Sequence, residues 1–252
     1  MEGVLTKQYK VRLYEADFRE TLRPVAMLNY LQDTAAAHSS RFGYSISELL
    51  LGNMTWVLSR YHISVRRYPS VGDTIQVSTW RSGIEGMFAL RDFEITDSCG
   101  NILVTATSSW VIMNLETKRP VKLEAVITDY PMVARRALKD DFEPLPKLEN
   151  LSREEPFKVR IADLDMNRHV NHTVYVEWAL ESLPREILEG FCLAELEVGY
   201  RAEAFYGDIV LARAEVTQEG NPATFLHQLV NEQNGKELTR LKTTWKRLQV
   251  QL

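Results

Sequence analysis

Cysteine is almost missing from this chain, with only Cys99 and Cys192 in 252 residues. Two thiols cannot build a zinc site, and without a secretory leader a structural disulfide is not expected. The opening MEGVLTKQYK has neither the apolar centre of a signal peptide nor the Arg/Ser-rich character of a transit peptide. No apolar run approaches the roughly eighteen residues of a membrane span. A basic excess is lacking too: 30 Lys and Arg stand against 34 Asp and Glu, a net charge of −4, which argues against a nucleic-acid partner. These absences leave a soluble cytoplasmic protein with no metal or cofactor as the expectation. What is present is ordinary globular material, 45% hydrophobic and 25% charged, enough for one large domain or two modest ones.

The chain repeats itself, and a repeat governs the reading of everything else. Val11-Arg12-Leu13 and Asp17 recur as Val159-Arg160-Ile161 and Asp165, an offset of 148 (159−11, 165−17). Gly72-Asp73, Gly100 and Trp110 recur as Gly207-Asp208, Gly235 and Trp245, an offset of 135 (207−72, 235−100, 245−110). The first copy therefore carries 13 extra residues after its first helix (148−135). Three divisions follow: a first half over 1–130, a linker over 131–150 containing Pro131, Pro144 and Pro146, and a second half over 151–252.

Each copy reads as strand, helix, then several strands. Tyr9, Val11 and Leu13 alternate with polar residues, as do Phe157, Val159 and Ile161, which predicts a strand with one buried face. Pro24 suits a first helical turn, and Gly43 can close that helix. Ser45 and Glu48 have capping-box spacing, so the extra residues are expected to include a short additional helix. In the second copy Asn171 is the expected N-cap and Pro184 the stop. Strands are expected near 75–79, 88–97 and 102–113, and Asn234-Gly235 signals a hairpin. One helix with several antiparallel strands, used twice, is an α+β arrangement in which each sheet wraps its own helix.

The polar run Asp163-Leu164-Asp165-Met166-Asn167-Arg168-His169-Val170-Asn171 lies between a strand and a helix start. Free N–H groups there carry partial positive charge that would stabilise an oxyanion. The plainer alternative is turn and cap chemistry alone. The duplication bears on the choice, because the slots of Asp165, Asn167 and His169 hold Asp17, Arg19 and Thr21 in the first copy. The fold does not require Asn and His there, while Asp survives in both copies and has a structural share. Glu203 falls opposite Tyr68 (203−135), with apolar neighbours that would raise its pKa toward a useful base; an exposed strand glutamate is the alternative. Diverged polar positions on a shared scaffold point to one active site per chain, in the second half.

The same run, with its spacing to Tyr200-Arg201-Ala202-Glu203, resembles the plant-type and bacterial acyl-carrier-protein (ACP) thioesterases. The first half agrees through Thr55-Trp56-Val57-Leu58-Ser59-Arg60, Arg67-Tyr68-Pro69, Gly72-Asp73, Thr79-Trp80 and Gly86-Met87 followed by Arg91-Asp92. The resemblance runs from about residue 5 to about residue 247. It implies a tandem (double) hotdog fold and hydrolysis of fatty acyl thioesters carried on acyl carrier protein. It also implies catalytic positions at Asp165, Asn167, His169 and Glu203. Many members have cysteine directly after the glutamate, but here that position is Ala204, which disfavours a covalent cysteine mechanism and favours an activated water.

Within the same fold an acyl-CoA thioesterase, a hydratase or dehydratase, and a non-catalytic acyl-binding protein remain as alternatives. His38, His62, His172 and His227 are expected in packing or at the surface. Among the basic pairs Arg66-Arg67, Lys118-Arg119 and Arg135-Arg136, one is a candidate dock for an acidic carrier, and ordinary solvated surface is the alternative. Met27, Leu28, Leu31 and Ala35 are the candidate wall of an acyl pocket in the first half. Either a monomer or a homodimer fits, since two halves in one chain already supply the pairing a single hotdog seeks.

Overall fold

The computed structural model describes residues 3–248. The chain divides into two compact units, Met1–Asp141 and Phe142–Leu252. In the first, β1 (Val4–Lys10), β2 (Met54–Val65), β3 (Thr74–Glu85), β4 (Phe88–Asp97) and β5 (Ile102–Asn114) form an antiparallel sheet ordered β1-β3-β4-β5-β2. A three-residue strand, β6 (Arg119–Val121), pairs with β5. Helix α1 (Pro24–Arg41) packs on β3 and β1, and α2 (Ile46–Leu51) on β2.

The second unit holds β7 (Arg153–Lys158), α3 (His172–Glu181), α4 (Arg185–Gly190), β8 (Phe191–Tyr200), β9 (Ile209–Gln218), β10 (Ala223–Asn231) and β11 (Glu237–Arg247). Its sheet order, β8-β11-β10-β9-β7, is that of the first unit strand for strand. Each unit is thus an antiparallel sheet against one principal helix, the α+β hotdog arrangement.

Hydrogen bonds repeat at the offsets seen in the sequence. Val11 N–H donates to Asp73 O and Val159 N–H to Asp208 O, both at 2.9 Å. The glycines of the paired turns, Gly72 and Gly207, have φ of 89° and 90°, a conformation side chains disfavour. Trp110 and Trp245 donate through Nε1 to Ser108 and Thr243 two residues earlier.

Three expectations need correction. The first strand of each copy stops at Lys10 and Lys158, short of the end of the alternating pattern. Beyond it the chain turns into a 3-10 helix, held by Glu15 on Arg12 N–H (2.9 Å) and Asp163 on Arg160 N–H (2.7 Å). Leu13 and Ile161, placed on the buried face by periodicity, are therefore 75% and 67% exposed. The 13 extra residues are also not an added helix. The short α2, with Ser45 and Glu48 forming the expected capping box, has a counterpart in α4. The insertion mostly lengthens α1, whose 18 residues against 10 in α3 account for eight of the thirteen (18−10). Finally, the segment expected to be a linker is bonded along its length. Val133 N–H donates to Arg81 O (2.9 Å), Trp80 Nε1 to Arg135 O (2.7 Å), and Arg136 and Ala137 N–H reach buried Asp92. His62 meets Asp140 at 2.6 Å. In the second unit Leu145 is buried and its carbonyl accepts from Arg240 (2.7 Å), while Glu149 N–H donates to Glu215.

Candidate active site

After β7 the chain makes its 3-10 turn over Ile161–Asp163 and then doubles back through a short bridge, Leu164 to Val170. Asp165 holds the residues between them. Its N–H donates to His169 O (2.8 Å), and its Oδ1 accepts from Asn167 N–H (2.8 Å) and, more loosely, from His169 N–H (3.4 Å). Arg168 N–H closes on Asp165 O at 3.0 Å, with Arg168 at φ 64°. Val170 N–H then donates to Ala204 O (3.1 Å), which draws the 203–205 segment alongside the turn. The result is a contact across 34 residues of chain (203−169): His169 Nδ1 lies 3.3 Å from Glu203 Oε1. Phe205 meets the His169 ring edge-on at 5.1 Å between centroids.

Of the four expected site residues, His169 and Glu203 are in direct contact, and Asp165 and Asn167 belong to the same turn. Asp165 is occupied with backbone N–H groups, as a turn organiser would be. The Asn167 side chain makes no hydrogen bond to the described residues and is half-exposed. Glu203 is not enclosed by its apolar neighbours, because its side chain is 56% exposed against 31% for His169. A carboxylate facing Nδ1 favours the tautomer with its proton on Nδ1, leaving Nε2 of a neutral ring as acceptor.

The first unit builds the same turn without this chemistry. Asp17 N–H donates to Thr21 O (2.8 Å), and Asp17 Oδ1 accepts from Arg19 N–H (2.9 Å) and Thr21 N–H (3.1 Å). Leu22 N–H donates to Pro69 O as Val170 does to Ala204, and Glu20 repeats the positive φ at 60°. Where Asn167 is free, Arg19 folds back onto Asp17, its Nε at 2.8 Å. Burial favours the protonated Asp17 carboxyl, but hydrogen bonds from Arg19 and Thr21 outweigh it and lower its pKa. The first turn is thus closed by an ion pair.

The helix start offers fewer donors than its position suggests. Asn171 caps α3, taking Thr173 N–H on its side chain (3.0 Å) and Val174 N–H on its carbonyl (3.0 Å). Asn171 N–H itself goes to Asp163 O at 2.8 Å. Donors for an oxyanion are therefore to be sought in the turn's side chains and at His172 N–H. One contributor left no sequence signal: Tyr175 of α3, whose hydroxyl accepts from Ala204 N–H at 2.9 Å, 29 residues away. Burial raises the Tyr175 pKa above its ordinary value, so its hydroxyl stays neutral while it fixes the backbone beside Glu203.

The remaining histidines have structural surroundings. Buried His38 Nδ1 accepts from Arg91 (2.9 Å), and burial, aided by Arg91, lowers its pKa to about 3. Buried His227 bonds Thr243 (2.9 Å), with burial lowering it to about 3. His172 packs edge-on against Tyr200 and is lowered by desolvation to about 4. Cys99 lies in the exposed β4–β5 turn, and Cys192 on β8 points at Lys246 O (3.5 Å). Of the basic pairs, Arg67, Arg135 and Arg136 are engaged by Asp97, Glu94 and Asp92, whereas Lys118 and Arg119 are exposed without an ion pair among the described residues. No helix of the described residues is long and apolar enough to cross a membrane.

Comparison with known proteins covers the same span. The chain is 33% identical over 97% of its length to the chloroplastic acyl-(acyl-carrier-protein) hydrolase FATB2 of Cuphea viscosissima, and spans 63% of that protein. It is 30% identical over 96% of its length to the chloroplastic oleoyl-acyl carrier protein thioesterase 1 of Arabidopsis thaliana, spanning 75% of it. Among solved structures, an acyl-ACP thioesterase from Bacteroides thetaiotaomicron superposes with a TM-score of 0.86 at 26% identity, covering 97% of this chain and 98% of that one. The 12:0-ACP thioesterase from Umbellularia californica also gives 0.86, at 27% identity and 97% and 94% coverage. The family model for the acyl-ACP thioesterase N-terminal domain matches residues 2–130 and that for the C-terminal domain residues 147–247. With both halves matched in order and the paired turns intact, the chain belongs to the acyl-ACP thioesterase family.

Proposed function

We propose that this protein hydrolyses fatty acyl thioesters carried on acyl carrier protein, at one site per chain in its second unit. The observation that supports this best is the 3.3 Å contact of His169 with Glu203 beside a free Asn167 amide, where the first unit has a sealed Asp17–Arg19 pair. In this reading Glu203, with His169 Nδ1 against one of its oxygens, takes a proton from a water held on its exposed side, and the hydroxide adds to the thioester carbonyl. The oxyanion accepts hydrogen bonds from the Asn167 amide and His172 N–H. Collapse breaks the C–S bond, and the departing thiolate takes the proton back from Glu203, releasing the free acid and carrier thiol. Asp165 keeps Asn167 and His169 in register by holding their backbone N–H groups.

The Cuphea, Arabidopsis and Umbellularia relatives are named for carrier-bound substrates, which supports carrier over coenzyme A as the acyl donor. Cytoplasmic location, and action as either a monomer or a homodimer, belong to the same proposal, although the plant relatives are chloroplastic. The test measures free thiol release from acyl-carrier and acyl-CoA substrates. Wild type should prefer the carrier, and Glu203→Gln, which keeps the size and removes the base, should lose at least about 100-fold in kcat while remaining folded. Near-normal turnover by a folded Glu203→Gln protein would end the mechanism.

A further inference from the structure

The second-unit turn carries a cation that the fold does not use. Arg168 has φ 64°, in the left-handed region where a side chain is disfavoured and glycine or asparagine is easier to place. The turn needs only its backbone N–H, which any residue but proline supplies. The side chain is exposed and makes no ion pair, hydrogen bond or ring contact with the described residues. That isolation is unusual within the unit. Arg160, Arg185, Arg201, Arg213 and Arg240 each hold a carboxylate at 2.6–2.8 Å. Arg153 reaches Glu155 at 3.9 Å, and Arg247 lies over the Phe191 ring at 5.3 Å.

Two further observations concern the same turn. The equivalent residue of the first unit, Glu20, has the same positive φ and the opposite charge, so the turn itself does not call for a cation. In the turn that carries Arg168 and in the segment after Glu203, whose Phe205 meets His169 at 5.1 Å, the side chains of Ile161, Met166, Phe205 and Tyr206 are exposed by 67%, 72%, 50% and 63%. They come from the two segments that the Val170–Ala204 bond holds together. A single free guanidinium among apolar side chains suits a ligand that is a slender, weakly polar chain ending in one anion.

Resting on the acyl-carrier reading above, we infer that Arg168 binds the phosphodiester of the carrier's pantetheine arm. Its Cα lies about 3.8 Å from that of His169, the spacing of consecutive residues. His169 is turned to Glu203 at the reacting centre, whereas Arg168 is exposed, so the anion it meets lies further along the substrate than the thioester. A planar guanidinium takes two phosphate oxygens at once, which Lys does less well. Arg168 is a positioning residue and touches no reacting atom.

The experiment compares one acyl chain on three carriers: acyl carrier protein, 4′-phosphopantetheine, and pantetheine without phosphate. Arg168→Gln should raise KM about ten-fold for both phosphate-bearing substrates, leave kcat within about two-fold, and leave acyl-pantetheine turnover at the wild-type level. Arg168→Lys should recover part of the loss. Arg168→Gly removes the disfavoured backbone state, so its Tm should not fall, yet its KM should rise as in Arg168→Gln; a purely structural residue would behave otherwise. Equal changes on acyl-pantetheine, a change confined to the whole carrier protein, or no change on any substrate would overturn the assignment. Wild-type protein inactive on all three substrates would instead sink the thioesterase reading, and this inference with it.

Discussion

Single residues divide cleanly between those the turn needs and those it can spare. Asp17 and Asp165 do the same backbone work in both units, and that structural duty is legible in their recurrence at a fixed offset. Asn167 and His169 are set apart by what stands in their places: Arg19, locked onto Asp17, and Thr21, whose hydroxyl bonds the same carboxylate at 3.0 Å. Asn167→Ala and His169→Ala should each lower kcat by about 100-fold or more with small effects on KM, since both are assigned to the reacting centre. Arg19→Ala and Thr21→Ala should stay within a few-fold of wild type. Steady-state kinetics on one acyl-carrier substrate decides it, and comparable losses from both units would mean two sites per chain. Other features were not legible, because they depend on partners distant in sequence. The exposure of Glu203 is set by how the 203–205 segment lies on the turn, and no neighbour in the chain reports that. Tyr175 looks like any aromatic on a buried helix face until Ala204 is seen on its hydroxyl.

Elements were read better by their caps and glycines than by their periodicity. Pro24 opens α1, Asn171 caps α3 and Ser45 with Glu48 opens α2, all local interactions that sequence spacing states directly. The alternating pattern failed at Leu13 and Ile161 because periodicity cannot tell a continuing strand from a chain that has left its sheet for a 3-10 turn. An offset counts inserted residues without placing them, which is why the lengthening of α1 was read as a separate helix. That extra length matters if the first unit sets acyl preference, as we propose from its apolar helix and sealed turn. Met27, Leu28 and Leu31 are fully buried on α1, and Ala35 is 6% exposed. Ala35→Phe should move the released acids toward shorter chains, by about four-fold in relative rate per methylene excluded, from about 0.8 kcal/mol each. The added bulk is also expected to destabilise the unit by about 1–3 kcal/mol, so the profile should be measured below the variant's Tm. A uniform loss across all chain lengths would place the determinant elsewhere.

At the scale of the whole molecule, duplication explains how one chain keeps two nearly identical scaffolds while only one retains a free polar turn. The same strand order and the same turn bonds recur, and divergence falls where backbone geometry does not depend on the side chain. The copies also differ in how their sheets meet the connecting segment. Asp92 of β4 is fully buried and receives Ser82, Thr107, Arg136 and the Ala137 N–H. Its counterpart at the 135 offset, His227 (92+135), bonds Thr243 instead. The seam between the halves therefore lies at Asp141, past the prolines that look like a boundary. Cut at residue 130, the first half would keep a buried carboxylate, still held by Ser82 and Thr107, and discard Arg136, its ion-pair partner among the described residues, a loss of about 3–5 kcal/mol for a buried pair. Cut at 141, it carries that cation with it. A fragment of residues 1–141 should accordingly be more soluble and melt higher than one of residues 1–130, which expression and thermal unfolding of the pair would show; equal behaviour would mean that the Asp92 anchor contributes nothing. Anyone recombining halves between relatives would be exchanging modules whose natural edge is an ion pair, and a graft that separates Asp92 from Arg136 would begin with a broken clasp.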